Sequence, residues 1–204
     1  MKNIVSITLK LLIIAIVAAV ALGAVNYVTA GPIAEQMAAQ ALEARKAAFP
    51  DANSFEALYD PDVLPDVTLT SLLGQDDISE DYGIINTVYS ALDADGNTIG
   101  VAVGVVTKGF NSGLHLTIGI AADETIKGVI MGDNTETAGL GSKAKEPWFQ
   151  EQFLGKTSPL SVVKSSPGDS DIQAITGATI TTRGITDAVN TVSEFYAALA
   201  GGAQ

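Results

Sequence analysis

Cysteine is absent from the 204 residues, which excludes disulfides, thiolate nucleophiles and cysteine-ligated zinc or iron–sulfur centres. Histidine occurs once, as His115, so a multi-histidine metal site is impossible and any Ser-His-Asp triad would have to use it. It stands in Leu114-His115-Leu116-Thr117-Ile118, on the face alternate to Leu114 and Leu116, where a strand side chain facing solvent is expected. Basic residues are scarce, 11 against 23 acidic for a net charge of -12, and this argues against a nucleic-acid partner. No convincing acid–base dyad is visible. Any chemistry done here uses a borrowed reactive group.

Charge of either sign is missing between Lys10 and Glu35. Within that gap Leu11 to Ala30 is apolar apart from Asn26, Tyr27 and Thr29. Roughly 20 apolar residues are enough to cross a bilayer as a helix. Tyr27 suits the interfacial aromatic belt, and Lys2 and Lys10 ahead of the run put the N-terminus on the cytoplasmic side. The expected division is a cytoplasmic N-terminus over 1–10, a transmembrane helix over 11–30 and an extracytoplasmic domain over 31–204. Val28-Thr29-Ala30 would also serve as a signal-peptide cleavage site, but the run exceeds a typical signal core, and an anchor is the preferred reading.

Gly31-Pro32 is expected to break this helix, with a second one over Ile33–Phe49 built on Met37, Ala41 and Leu42. Residues 54–80 read as mostly irregular, with Pro61, Pro65 and the acidic Asp76, Asp77, Glu80 and Asp81 as loop signals. Strand patterns then follow over Ile85–Leu92, Thr98–Val106, Leu114–Ala121 and Thr125–Met131, the first pair joined by an Asp95-Gly96 turn and the next by Gly109–Gly113. A meander of this kind has one face against a core. A short helix is expected at Pro147–Leu154, closed by Gly155, and an edge strand at Ser161–Lys164. A final helix from Thr182 to Leu199 has Ile185, Ala188, Val189, Val192 and Phe195 on one face. The fold class is α+β: an antiparallel sheet flanked by helices behind one membrane helix.

Two stretches pair glycines with hydroxyls: Thr135–Gly141 and Thr176-Gly177-Ala178-Thr179. The second sits between a buried-strand pattern at Ala174-Ile175 and the last helix. Gly177 lets a ligand approach the backbone, and a helix N-terminus favours an anion such as phosphate. The competing reading is a plain strand–turn–helix junction with Thr181 or Thr182 as N-cap. Glu136–Gly141, read alone, is a glycine-rich loop.

The order and spacing of Glu136-Thr137-Ala138-Gly139-Leu140-Gly141, Phe153-Leu154-Gly155-Lys156 and Thr176-Gly177-Ala178-Thr179, behind one membrane span, resembles the FMN-binding domain family. That family is shared by the G subunit of the Rnf electron-transport complex and the C subunit of the Na+-translocating NADH:quinone reductase, and the short chain is more similar to the Rnf protein. Its pattern runs E-T-P-G-L-G, F-x-G-K, [ST]-G-A-T. Here Ala138 replaces the proline, and Gln173 stands where many such motifs carry an aspartate, with Asp171 close by.

The resemblance implies FMN joined by a phosphoester to Thr179, attached by a separate flavin transferase that uses FAD and a divalent metal. It implies cofactor contacts from Thr176, Gly177, Ala178, Ile180, Thr181 and Thr182, from Glu136, Thr137, Gly139, Leu140 and Gly141, and from Lys156; Arg183 is available to the phosphate. It further implies a relay within a membrane-bound ferredoxin:NAD+ oxidoreductase coupled to ion translocation, with the complex's other subunits as partners and no substrate chemistry of its own. A flavinylated carrier for another extracytoplasmic reductase and an anchored scaffold without flavin are the alternatives.

Overall fold

A long helix whose apolar residues are exposed over most of its described length is the first element met. The structure, a computed structural model, describes residues 2–75 and 79–202. Helix α1 spans Lys2–Ala48 as one element. The break expected at Gly31-Pro32 does not occur. Proline forfeits one backbone hydrogen bond, but the flank after it, IAEQMAAQALEA, is rich enough in helix formers to carry the helix on. Leu11, Leu12, Ile14, Val17, Val20 and Val25 are all exposed, which fits an apolar medium and excludes a core helix. The chain divides into two units, one ending at Glu43 and one from Ala44 onward.

The second unit is built on a five-stranded antiparallel meander in the order β1-β2-β3-β4-β5: Ser54–Tyr59, Ile85–Leu92, Thr98–Lys108, Ser112–Ala121 and Ile126–Met131. The first strand was not expected. Ser54–Tyr59 is too short to show a clear period, and it is held by pairing with β2, Phe55 opposite Ala91 and Ala57 opposite Tyr89. The rest of the region expected to be irregular contains helix α2, Leu69–Leu73, capped by Thr68, and a 3-10 helix over Glu80–Ile84. Asp76 and Asp77 of the expected acidic loop lie outside the described residues.

One face of the sheet carries Val101, Val103 and Val105 of β3 with Leu114, Leu116, Ile118 and Ile120 of β4, all buried. On it lies helix α4, Thr179–Gly202, through Ile185, Ala188, Val189, Val192 and Phe195. Burying a side chain of Phe195's size contributes about 2–3 kcal/mol. Tyr82 meets the Phe195 ring edge-on at 5.4 Å. His115 points away from this core, as its place in the alternation required.

The opposite face receives Ala48 and Phe49 from the end of α1. A Cβ on Gly119 would lie 2.2 Å from the Ala48 carbonyl oxygen, and one on Gly128 would lie 2.7 Å from it. The two glycines leave room for that backbone, and Phe49 packs with Ala91 and Ala121. Arg45 sits 3.8 Å over the Tyr89 ring, whose hydroxyl donates to Asp60, and Lys127 pairs with Asp51 at 2.9 Å.

After β5, helix α3, Pro147–Gln150, continues as a 3-10 turn over Glu151–Phe153 and buries Phe149 and Phe153. Two short strands, β6 (Ser161–Val163) and β7 (Asp171–Gln173), pair in parallel. β7 leads directly into the turn before α4.

Candidate functional site

The turn before α4 is closed from within. Ala174 and Ile175 are buried but follow β7 instead of belonging to it. The Ala178 N–H donates to the Ile175 carbonyl at 2.9 Å, and the Ile175 N–H donates to Thr182 Oγ1 at 3.1 Å. Thr182 in turn donates from Oγ1 to the Ala178 carbonyl at 3.0 Å. Gly177 has φ +79, the left-handed region that glycine adopts most easily, and a Cβ there would come within 3.1 Å of Leu140 Cδ2.

This geometry starts α4 at Thr179, three residues earlier than the pattern predicts. Thr181 and Thr182 therefore lie inside the first turn and are not N-caps. Their hydroxyls hide the helical signal, because such side chains bond locally to backbone and favour helix ends. Thr179 becomes the first helical residue, beside N–H groups that α-helix geometry leaves without intrahelical acceptors.

A cavity of about 370 Å³ opens beside it, lined by Phe110, Glu136, Thr137, Leu140, Gly141 and the 177–181 segment. That volume falls in the range of small-molecule and cofactor sites, roughly 300–1,000 Å³. Its rim carries Phe110, Leu140 and Ile180, exposed by 64%, 42% and 59%. An apolar rim around a hydroxyl at a helix N-terminus suits a planar ring attached through a phosphate.

Glu136 crosses the site. Its Oε1 accepts from the Asn111 N–H at 3.0 Å and its Oε2 accepts from the Thr181 hydroxyl at 2.6 Å. A Cβ on Gly109 would lie 2.5 Å from Oε1 and one on Gly141 would lie 2.1 Å from Oε2, so glycine at both positions admits the carboxylate. Asn111 also donates from Nδ2 to the Thr135 carbonyl at 2.6 Å, and Thr135 Oγ1 to that of Ser112 at 3.1 Å. The loop is thus sewn to the β3–β4 turn.

Glu136, Thr137, Leu140, Gly141, Gly177, Ala178, Thr179, Ile180 and Thr181, all expected from sequence, meet at this cavity. The others do not. Gly139 turns the loop with its N–H on Ser142 Oγ at 3.0 Å. Thr176 lies on the far side of the turn, in a second hollow that also includes Lys164 and Thr179. Thr182 is buried and locks the backbone. Arg183 is exposed at the start of the second turn, outside the cavity lining.

Lys156 is elsewhere. Its Nζ donates to the Asp171 carbonyl at 2.5 Å and the Gly168 carbonyl at 3.4 Å, outside the cavity lining, and ties down the 165–171 loop. Asp171, the nearest acid to the motif, accepts from the Ser161 hydroxyl and the Gly168 N–H, which hold its carboxyl below the usual range. Gln173 exchanges hydrogen bonds with Gln152, its N–H donating at 2.7 Å.

The residues missed from sequence are Phe110 and its neighbours in the 109–111 turn. An aromatic among glycines in a hairpin turn, where nothing local buries it, was the available signal. No group of histidine, aspartate or glutamate able to hold a metal occurs among the described residues.

The turn that presents Thr179 on this cavity and the Glu136 loop beside it both lie within residues 109–194, which the FMN-binding domain family matches. Over 200 residues, 96% of this chain and 92% of the relative, the sequence is 36% identical to the G subunit of the Na(+)-translocating ferredoxin:NAD(+) oxidoreductase complex of Acetobacterium woodii. It is 27% identical over 201 residues, 98% of each chain, to the G subunit of the ion-translocating oxidoreductase complex of Methanosarcina acetivorans. The chain belongs to this FMN-binding family of Rnf-type G subunits. The crystal structure of Shewanella oneidensis NqrC is similar at a TM-score of 0.49 and 26% identity, covering 56% of this chain and 61% of that one.

Proposed function

We propose that this chain is the membrane-anchored electron-transfer subunit of an Rnf-type ferredoxin:NAD+ oxidoreductase coupled to ion translocation, and that it carries FMN as a phosphoester on Thr179. The single observation that carries the reading is Thr179 itself: it opens α4 and lines the cavity rimmed by Phe110, Leu140 and Ile180. Attached there, FMN would supply the redox chemistry of a relay between the complex's centres.

The chain's own residues hold and orient. Phe110, Leu140 and Ile180 offer apolar contact and exclude water from the ring's side of the cavity. The first-turn N–H groups of α4 would stabilise a phosphodiester charge at Thr179. Gly177 and Ala178 allow backbone to come close to it. Threonine is a weak nucleophile at its ordinary pKa. A separate flavin transferase, using FAD and a divalent metal, would have to activate it: a bond from Thr179 Oγ to the FMN phosphorus would replace the phosphoanhydride bond of FAD, with AMP leaving on the electron pair and the hydroxyl proton going to the transferase.

The apolar segment 11–30 anchors the chain, with Lys2 and Lys10 on the cytoplasmic side and the domain outside. A phosphoester keeps the flavin from being lost there and holds it at high effective concentration.

Intact mass tests the reading. Chain made alongside the transferase is expected to carry the mass of one FMN and in-gel flavin fluorescence, and Thr179→Ala to carry neither. An unmodified Thr179 in such a host refutes the covalent site. Co-purification of a multi-subunit membrane complex supports the assignment of partners, and protease protection of residues 31–204 in intact cells with a permeable envelope contradicts the orientation.

A further inference from the structure

The Glu136 carboxylate does more than line a cavity. It is threaded between two glycines and ends on Thr181, 45 positions away in sequence and two residues past the acceptor Thr179. Thr181 is fully buried, so its hydroxyl has no solvent to turn to. The same carboxylate holds the Asn111 N–H of the β3–β4 turn. Its two oxygens therefore tie α4's first turn to the turn that carries Phe110, one wall of the cavity to the other.

We infer that Glu136 is a positioning residue for flavin attachment: by clamping Thr181 it sets where the Thr179 hydroxyl is presented to the modifying enzyme. The inference rests on the reading of Thr179 as the phosphoester site. The turn ahead of α4 is fixed on its other side by the Thr182 hydroxyl on Ile175 and Ala178. Thr182 sets the backbone of the turn, while Glu136 sets the rotation of the helix start against the cavity. Transfer of a phosphoryl group demands in-line approach of the hydroxyl, and a misplacement of about 1 Å costs on the order of a hundredfold in rate.

The loop motif then has a physical reading. The glutamate at 136 supplies the clamp, and Gly141 leaves its Oε2 room. Leu140 reaches over Gly177, so the loop also covers the turn that precedes the acceptor. A modification signal reduced to residues 176–179 would omit this part of the site.

Glutamine at 136 can keep both contacts. Its oxygen accepts from the Asn111 N–H, and its amide donates to a Thr181 hydroxyl that has rotated to accept. Alanine keeps neither. Valine at 181 removes the same bond from the other side, and serine restores it.

The test uses the full chain in detergent, made without the transferase, then incubated with transferase, FAD and Mg2+, with FMN incorporation read by intact mass. Glu136→Ala and Thr181→Val are expected to load at least roughly tenfold more slowly, the size that follows from losing a hydrogen bond to a charged group. The loss should fall in kcat for the acceptor chain with KM little changed, as for an interaction needed only in the transition state. Glu136→Gln and Thr181→Ser should load within about threefold of wild type, a rescue that a simple packing defect would not give.

Wild-type loading rates in folded Glu136→Ala overturn the inference. If that variant does not fold, Thr181→Val decides in the same way. Equal failure of Glu136→Gln and Glu136→Ala also overturns it, because charge and not positioning would then be what matters. The parent reading fails separately: Thr179→Ala that still takes up FMN, or wild type that never does, removes the covalent site whatever Glu136 does.

Discussion

Replacing Gly119 with alanine tests how the domain is joined to the end of α1. The added Cβ would lie 2.2 Å from the Ala48 carbonyl oxygen and 2.8 Å from its carbon, against 3.4 Å or more for ordinary contact. Backbone stands on both sides, so no side-chain rotation relieves the clash. Gly119 is opposite Ala102 on β3 and Gly128 on β5, and both ladders hold it in place. The Ala48–Phe49 segment must therefore move by about 1.2 Å or leave. Accommodation costs about 1–3 kcal/mol as overpacking. Ejection would cost about 3–5 kcal/mol, because fully buried Phe49 would lose its packing against Ala91 and Ala121. At roughly 2–4 °C per kcal/mol for a domain of this size, a loss near 3 kcal/mol lowers Tm by about 6–12 °C. The assay is thermal unfolding of the full chain in detergent, followed by near-ultraviolet circular dichroism. Gly83→Ala is the control: it is exposed, has no positive φ, and a Cβ there meets nothing within 4 Å. If Gly119→Ala melts within about 2 °C of that control, Ala48 and Phe49 do not sit on the sheet as described.

Two further outcomes follow from groups outside the cavity. Lys156→Ala should leave FMN content unchanged while costing about 1–2 kcal/mol through the loosened Gly168 and Asp171 carbonyls; mass and urea titration read the two effects, and flavin loss with undiminished stability would return Lys156 to the cofactor site. Acid should weaken the fold, because Asp93, Asp123 and Asp171 all titrate below the ordinary 3.8 in the folded chain, each chiefly through a side-chain hydrogen bond, from Asn97, Thr125 and Ser161 respectively. With folded values below unfolded ones, their contribution is complete above 3.8 and is lost as pH falls through the folded values. Urea midpoints should fall below that pH, and more gently in Asp171→Asn; a wild-type midpoint that holds or rises on acidification refutes the assignment.

Local order settled much of this protein. The charge gap from Lys10 to Glu35 reads as a span without any fold, because water alone makes such a run costly. The alternation of Val101, Val103 and Val105, and of Leu114, Leu116 and Ile118, sets which face of the sheet is buried, since side chains in a strand have a period of two. The last helix was equally plain from Ile185 to Phe195, and the two glycine–hydroxyl motifs carried the family resemblance from which Thr179 is proposed.

Contacts distant in sequence decided the rest. Ser54–Tyr59 is a strand because β2 offers it an edge, and six residues cannot announce that alone. The helix runs through Pro32 because the strong helix formers that follow it, from Ala34 to Ala44, outweigh one lost hydrogen bond. α4 starts at Thr179 because Thr182 folds back on Ile175, a bond that propensities at Thr181 and Thr182 conceal. Lys156 and Glu136 were both cofactor contacts by resemblance. Packing gave the lysine two loop carbonyls outside the cavity, while the carboxylate lines the cavity from a berth between Gly109 and Gly141. A motif specifies which groups are supplied; which way each one faces depends on the backbone that the tertiary fold brings beside it.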